Sequence, residues 1–217
     1  MGKKKYDDTR DSIRARSRID QMVREIPHDV FIDMALENPL FRAFVTGYYA
    51  EEKLQERLLE LDGVTGIYKP GDRHPTQNKW DRTFLYRGRR YSVQVKSPAT
   101  GSIQTDLESG NLVATVHNDA SDKRFITLPN GHSVETCCYL QGEYDILAVP
   151  LFLFHGRWEF AFKWNLDCRR ALKNTSIAEE YRSHLLATTE PLVFPSLEGW
   201  KTNLFELLAD DPNYRDH

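Results

Sequence analysis

Cysteine is scarce in this chain. There are three, with Cys137 and Cys138 adjacent and Cys168 apart. No C-x-x-C pair exists, so the ligand spacing of a zinc finger or a zinc deaminase is missing. Such usage fits a reducing compartment, and a cytoplasmic location is the expectation. Long apolar runs are missing too. The longest, Ile146 to Phe154, is far too short to span a bilayer. The first residues, MGKKKYDDTR, hold no apolar signal core, so no membrane partner is expected. There is no G-x-x-x-x-G-K-[ST], so no nucleotide cofactor is expected. Repeats and low-complexity tracts are absent. An overall positive charge is absent as well, because 29 Lys and Arg meet 32 Asp and Glu for a formal charge of −3.

What the chain has is length and an uneven charge. Its 217 residues suffice for one domain with a proper core. From Lys69 to Lys96 the bases Lys69, Arg73, Lys79, Arg82, Arg87, Arg89, Arg90 and Lys96 meet only Asp72 and Asp81. Such a zone suits a polyanion, or it is an ordinary solvated surface. The C-terminal end is acidic, with Glu206, Asp210, Asp211 and Asp216 against Arg215.

Helical and strand periods interleave, which predicts an α/β domain with a central mixed sheet flanked by helices. Residues 1–37 read as a charged, helical N-terminal extension and residues 38–217 as a single domain. Pro27 separates a charged segment from a short helix at His28 to Leu36, and Asn38-Pro39 precedes a longer one, Leu40 to Leu61. There Gly47, Leu54, Leu58 and Leu61 share a face, with Glu51 on its edge and Glu52 turned about 100° further toward water. Strands are predicted at Val64 to Lys69, Leu112 to Val116, Arg124 to Leu128 and Ser133 to Leu140. A polar run, His117 to Asp122, follows the second of these, and a turn is predicted at Pro129 to His132. Tyr144 to Phe154 reads as a central strand buried on both faces. Arg157 to Trp164 alternates as a strand, and Ser176 to Leu186 and Trp200 to Ala209 have helical periods.

Lys79 to Ser97 carries the chemistry. It reads as a hairpin turning at Arg87-Gly88-Arg89. Tyr91, Val93 and Val95 point to one face of its second strand, and Ser92, Gln94 and Lys96 to the other. Asp81 opens the first strand. A carboxylate, an amide oxygen and a lysine at one sheet end suit Mg²⁺-assisted attack of water on phosphate. The alternative is an exposed hairpin with solvated polar residues. His117-Asn118 brings to mind an HNH nuclease, but the second, distant motif is missing. His117 and Asp119 then contact DNA or make a polar turn.

Glu51, Asp81, Gln94 and Lys96 together resemble the PD-(D/E)XK nuclease superfamily, the restriction-endonuclease-like fold. The order is the same: helix glutamate, aspartate entering a hairpin, then acid-x-lysine on the next strand. Residues 122–124, 128–131 and 143–149 also resemble bacterial restriction-endonuclease-type proteins. Three features depart from the pattern. Trp80 stands where the family has proline, Gln94 replaces the acid, and residues 98–143 offer short strands where the family core has a helix. The resemblance implies Mg²⁺-dependent hydrolysis of double-stranded DNA, most simply by a type II restriction-type enzyme. Glu51, Asp81 and the Gln94 side-chain oxygen would hold the metal with the carbonyl of Val95, and Lys96 would orient or deprotonate the attacking water. It also implies a homodimer, for which the N-terminal helices and the segment Phe194 to Phe205 are candidate contacts. A repair or transposition endonuclease, or a non-catalytic DNA-binding subunit with a decayed nuclease fold, are the alternatives.

Overall fold

The computed structural model describes residue 18 and residues 20–70 and 80–211. The chain divides into two compact units, one ending at Val45 and the other beginning at Thr46.

In the first unit, residues 20–25 are helical (α1) and α2 spans His28–Glu37. Asn38 ends α2 and caps the next helix, its Oδ1 accepting from the amides of Leu40 and Phe41, each at 3.0 Å. Proline at the first position of that helix, α3 (Pro39–Leu59), loses no hydrogen bond; from Thr46 on, α3 belongs to the second unit. Phe31 meets Phe41 edge to face at 5.4 Å.

The second unit is organised on a five-stranded sheet. Strands β1 (Val64–Tyr68), β2 (Arg82–Tyr86) and β3 (Arg89–Val95) form an antiparallel meander. Strand β8 (Ile146–Pro150) pairs with β3 in parallel, and β9 (Phe160–Trp164) closes the sheet antiparallel to β8. The spatial order is β1-β2-β3-β8-β9. The β2–β3 turn needs two residues in the left-handed region, and Arg87 (φ 49°) and Gly88 (φ 79°) supply them.

Alternation along the strands gives the sheet two apolar faces. Phe84, Tyr91, Val93, Ile146 and Ala148 pack with Ala50, Leu54 and Leu58 of α3. Leu147, Val149, Tyr139, Tyr144 and Leu192 make the opposite core. Between β3 and β8 lie β4 (Gln104–Thr105), β5 (Leu112–His117), β6 (Asp119–Thr127) and β7 (Ser133–Cys138), and no α-helix. Strands β4 and β5 join β10 (Thr189–Phe194) in a second sheet, and β6 pairs with β7 as a ribbon.

Several boundaries differ from expectation, for local reasons. The buried strand ends at Pro150, and Leu151 leaves β geometry to start the short helix α4 (Phe152–His155). His117 to Asp122 is no turn: β5 runs into β6, whose register shifts between Asp119 and Arg124. Only Glu179–Arg182 (α5) is helical within 176–186, because Leu185 and Leu186 are taken into β-bridges with Leu140 and Arg170. Lys201 bridges to Phe162, so the last helix begins only after the Asn203 cap, as α6 (Leu204–Ala209). Strand β10 contains Pro191, which an edge strand tolerates. No helix among the described residues is long and apolar enough to cross a membrane.

Candidate active site

Asp81 lies at the mouth of the hairpin, where β2 begins. Its amide donates to the carbonyl of Val93 (2.9 Å), which fixes the backbone against β3. Its Oδ2 accepts two hydrogen bonds of 2.7 Å, from Gln94 Nε2 and from the amide of Val95. Asp81, Gln94 and Val95 are therefore in direct contact, Val95 through its N–H. Trp80, the preceding residue, packs partly buried against the core that contains Tyr139 and Leu147.

The Asp81 carboxyl is pushed up to about 6. Burial is the largest cause, and the negative charge of Glu51 adds to it; the Val95 amide, Lys96 and Arg82 oppose it. Glu51 and Lys96 thus sit near enough to act on Asp81 electrostatically. Lys96 donates from Nζ to the carbonyl of Asp119 (2.7 Å) and lies 5.5 Å from the ring centroid of Tyr139. The Tyr139 phenol is raised mainly by burial and next by the charge of Asp81.

Helix α3 brings the glutamates. The Glu51 side chain is 16% exposed and that of Glu52 is 48% exposed, so Glu51 is the more inward-turned of the two. Both reach Arg82, which sequence reasoning counted as surface and which is fully buried. Period two contained the signal: Arg82 pairs with Val93, so it shares a face with Phe84 and Tyr91. Lys69 adds an ammonium 2.7 Å from Glu52 and 3.5 Å from Glu51. Its hydrogen bond holds the Glu52 carboxyl below the usual range.

The basic zone is correspondingly smaller than its composition implied. Arg82 and Lys69 are committed to glutamates, and Arg89 binds Asp211. Arg73, His74, Asn78 and Lys79 lie outside the described residues. Arg87, over the ring of Tyr86, and Arg90, donating to Thr83, remain exposed. Arg87 lies just past the far end of β2, roughly 20 Å of extended chain away from Asp81.

Among the described residues, no group of three or more His, Cys, Asp or Glu is placed to hold a metal ion. The donors near Asp81 are two carboxylates and one amide, hard oxygen ligands that fit Mg²⁺, which keeps several of its waters. They do not fit zinc, for lack of nitrogen and sulfur. Burial raises the Asp81 carboxyl more than the Val95 amide, Lys96 and Arg82 lower it, and a bound cation would favour its charged form.

No protein-family model and no curated protein matches the chain. Among solved structures it is similar to a bacterial homing endonuclease, I-Ssp6803I, at 20% identity and a TM-score of 0.43, over 80% of this chain and 97% of that one. A superposition this loose says nothing of what the chain does.

Proposed function

We propose that this chain is a Mg²⁺-dependent endonuclease of the PD-(D/E)XK kind that hydrolyses phosphodiester bonds in double-stranded DNA, as a type II restriction enzyme does. The observation that carries the reading is Asp81: a carboxylate fastened to β3 by Gln94 and Val95, with its pKa raised, beside Glu51 and Lys96. Glu51, Asp81 and the Gln94 side-chain oxygen, with the Val95 carbonyl, would hold Mg²⁺, which supplies a water of lowered pKa and charge neutralisation at the phosphate. The residues themselves do the rest. Asp81 and Gln94 are held rigidly by each other, so their oxygens need little reorganisation. Lys96 shares a strand face with Gln94; its ammonium orients the attacking water and stabilises charge that develops on the phosphoryl oxygens. Water adds to phosphorus, one P–O ester bond breaks, and a phosphate monoester and a hydroxyl are left. Because Gln94 contributes a dipole in place of a charge, the free chain binds the metal less tightly than it would with an acid there, and the phosphate brings the missing charge.

A second reading, a DNA-binding subunit with a silenced site, draws on the Gln94 amide donating to Asp81 and on Glu51 lying against Arg82. The two readings separate on supercoiled plasmid incubated with the purified chain. Mg²⁺-dependent open-circle or linear product, lost with EDTA and with Lys96→Ala, supports the nuclease. Binding without cutting supports the second reading. A homodimer would place one site on each strand. Of its two candidate surfaces, the C-terminal segment turns aromatic side chains into the fold, with Trp200 buried and Phe194 stacked on Phe154 at 5.4 Å. The N-terminal helices keep exposed apolar residues, including Leu36, Leu40 and Phe44. Sedimentation of the protein on DNA as a monomer alone would exclude the dimer.

A further inference from the structure

We propose that Arg82 is a positioning residue that stands in for a second divalent cation, so that the centre takes one such ion per chain. The inference rests on the metal-site reading above and specifies it further.

Arg82 has no exposed surface. Its Nε donates to Gln55 Oε1 (3.1 Å) and its Nη2 to Glu52 Oε1 (2.9 Å). Its Nη1 donates both to Glu51 Oε2 (3.1 Å) and to the carbonyl of Asp81 (2.8 Å). A guanidinium does not lose its proton in a protein, and its burial is tolerable only with its charge paired. The positive charge is therefore a permanent part of the site. Its place is set by the strand, because Arg82 lies opposite Val93 on the face that α3 covers.

Two consequences follow from that position. First, one nitrogen ties the backbone of Asp81 to the side chain of Glu51, so the two candidate ligands are held relative to each other by a planar group with little freedom. Second, the helix carboxylates are already compensated, Glu51 and Glu52 by Arg82 and Lys69. A second divalent ion would have to enter against two fixed cations. Asp81 is different: its Oδ2 partners are the neutral amides of Gln94 and Val95, so one cation is welcome there.

The test is the binding of Mn²⁺ to the full chain, followed through the loss of the free-ion paramagnetic resonance signal. One Mn²⁺ per chain is expected. Two per chain would overturn the inference and leave the nuclease reading standing. None at millimolar Mn²⁺ would remove the metal site itself, and both readings with it. Arg82→Met uncovers the glutamates and should admit a second Mn²⁺ or tighten binding by at least about tenfold; unchanged stoichiometry and affinity would overturn the proposal. Arg82→Lys keeps the charge but loses the fork, and serves also if Arg82→Met does not fold. It should still bind one Mn²⁺, while kcat for plasmid nicking falls at least about tenfold at unchanged KM. A kcat equal to that of the parent would overturn the positioning role.

Discussion

Strand β3 is held by an aspartate at two points, in its middle and at its C-terminal end, and the two points differ in what surrounds a similar pair of hydrogen bonds. In the middle, Asp145 Oδ2 accepts from the amide of Ser92 (2.7 Å) and from its hydroxyl (2.6 Å). At the end, Asp81 Oδ2 accepts from the amide of Val95 and the side-chain amide of Gln94. Asp145 is 30% exposed and has Arg89 at 3.7 Å. Asp81 is more enclosed and has another carboxylate, Glu51, among the charges that act on it. Similar clamping of the strand thus leaves one aspartate partly exposed near Arg89 and the other buried, with its carboxyl pushed up. Burial and the like-charged Glu51 raise Asp81 despite its amide partners.

Activity should show the difference most strongly. Asp81→Ala and Lys96→Ala are each expected to lower plasmid nicking by roughly 10³-fold, the scale of losing a key electrostatic contact in a site. Asp145→Asn should leave nicking within a few-fold of the parent. Equal losses at the two aspartates would erase the distinction.

Stability should separate them in sign. A carboxyl raised from 3.8 to about 6 contributes stability that is fully present below its unfolded pKa and is lost as pH rises through 6. At pH 8 in EDTA the charged Asp81 therefore opposes folding by about 3 kcal/mol, an order-of-magnitude figure from about two pKa units at 1.36 kcal/mol each. Asp81→Asn, which keeps an acceptor oxygen, should raise stability in urea unfolding at pH 8 and give no such gain at pH 4. Asp145→Ala should instead lower stability by about 1–3 kcal/mol, since it leaves the Ser92 amide without its acceptor. Destabilisation by Asp81→Asn at pH 8 would contradict the electrostatic picture.

A smaller effect distinguishes the neighbouring glutamates. Glu51→Ala should reduce nicking by about 10²-fold, at the lower end for one electrostatic group. Glu52→Ala should cost only a few-fold, since its carboxylate is paired with Lys69 and Arg82 and points further into water. A full loss from Glu52→Ala alone, measured on the same plasmid, would exchange their roles.

How much of this was legible in the sequence depends on how far each cause lies along the chain. The hairpin turn at Arg87-Gly88, the alternation that puts Gln94 and Lys96 on one face, and the inward phase of Glu51 relative to Glu52 are local and could be read directly. The burial of Arg82 was not, because it depends on which helix covers β2, a contact some 30 residues back along the chain. The Lys96 contacts are hidden for the same reason: Asp119 and Tyr139 are 23 and 43 residues further on, beyond β4 and β5. The apolar period at Ile177, Tyr181 and Leu185 misled because bridging to Leu140 and Arg170, set by distant segments, outweighed helical propensity.

The most direct measurement is a carbon-13 NMR titration of the Asp81 side-chain carboxyl, with and without Mg²⁺. Without the metal it should titrate near 6, and with saturating Mg²⁺ its midpoint should fall well below that value. A midpoint near the ordinary 3.8, unchanged by Mg²⁺, would contradict the assignment of Asp81 as the centre of the site.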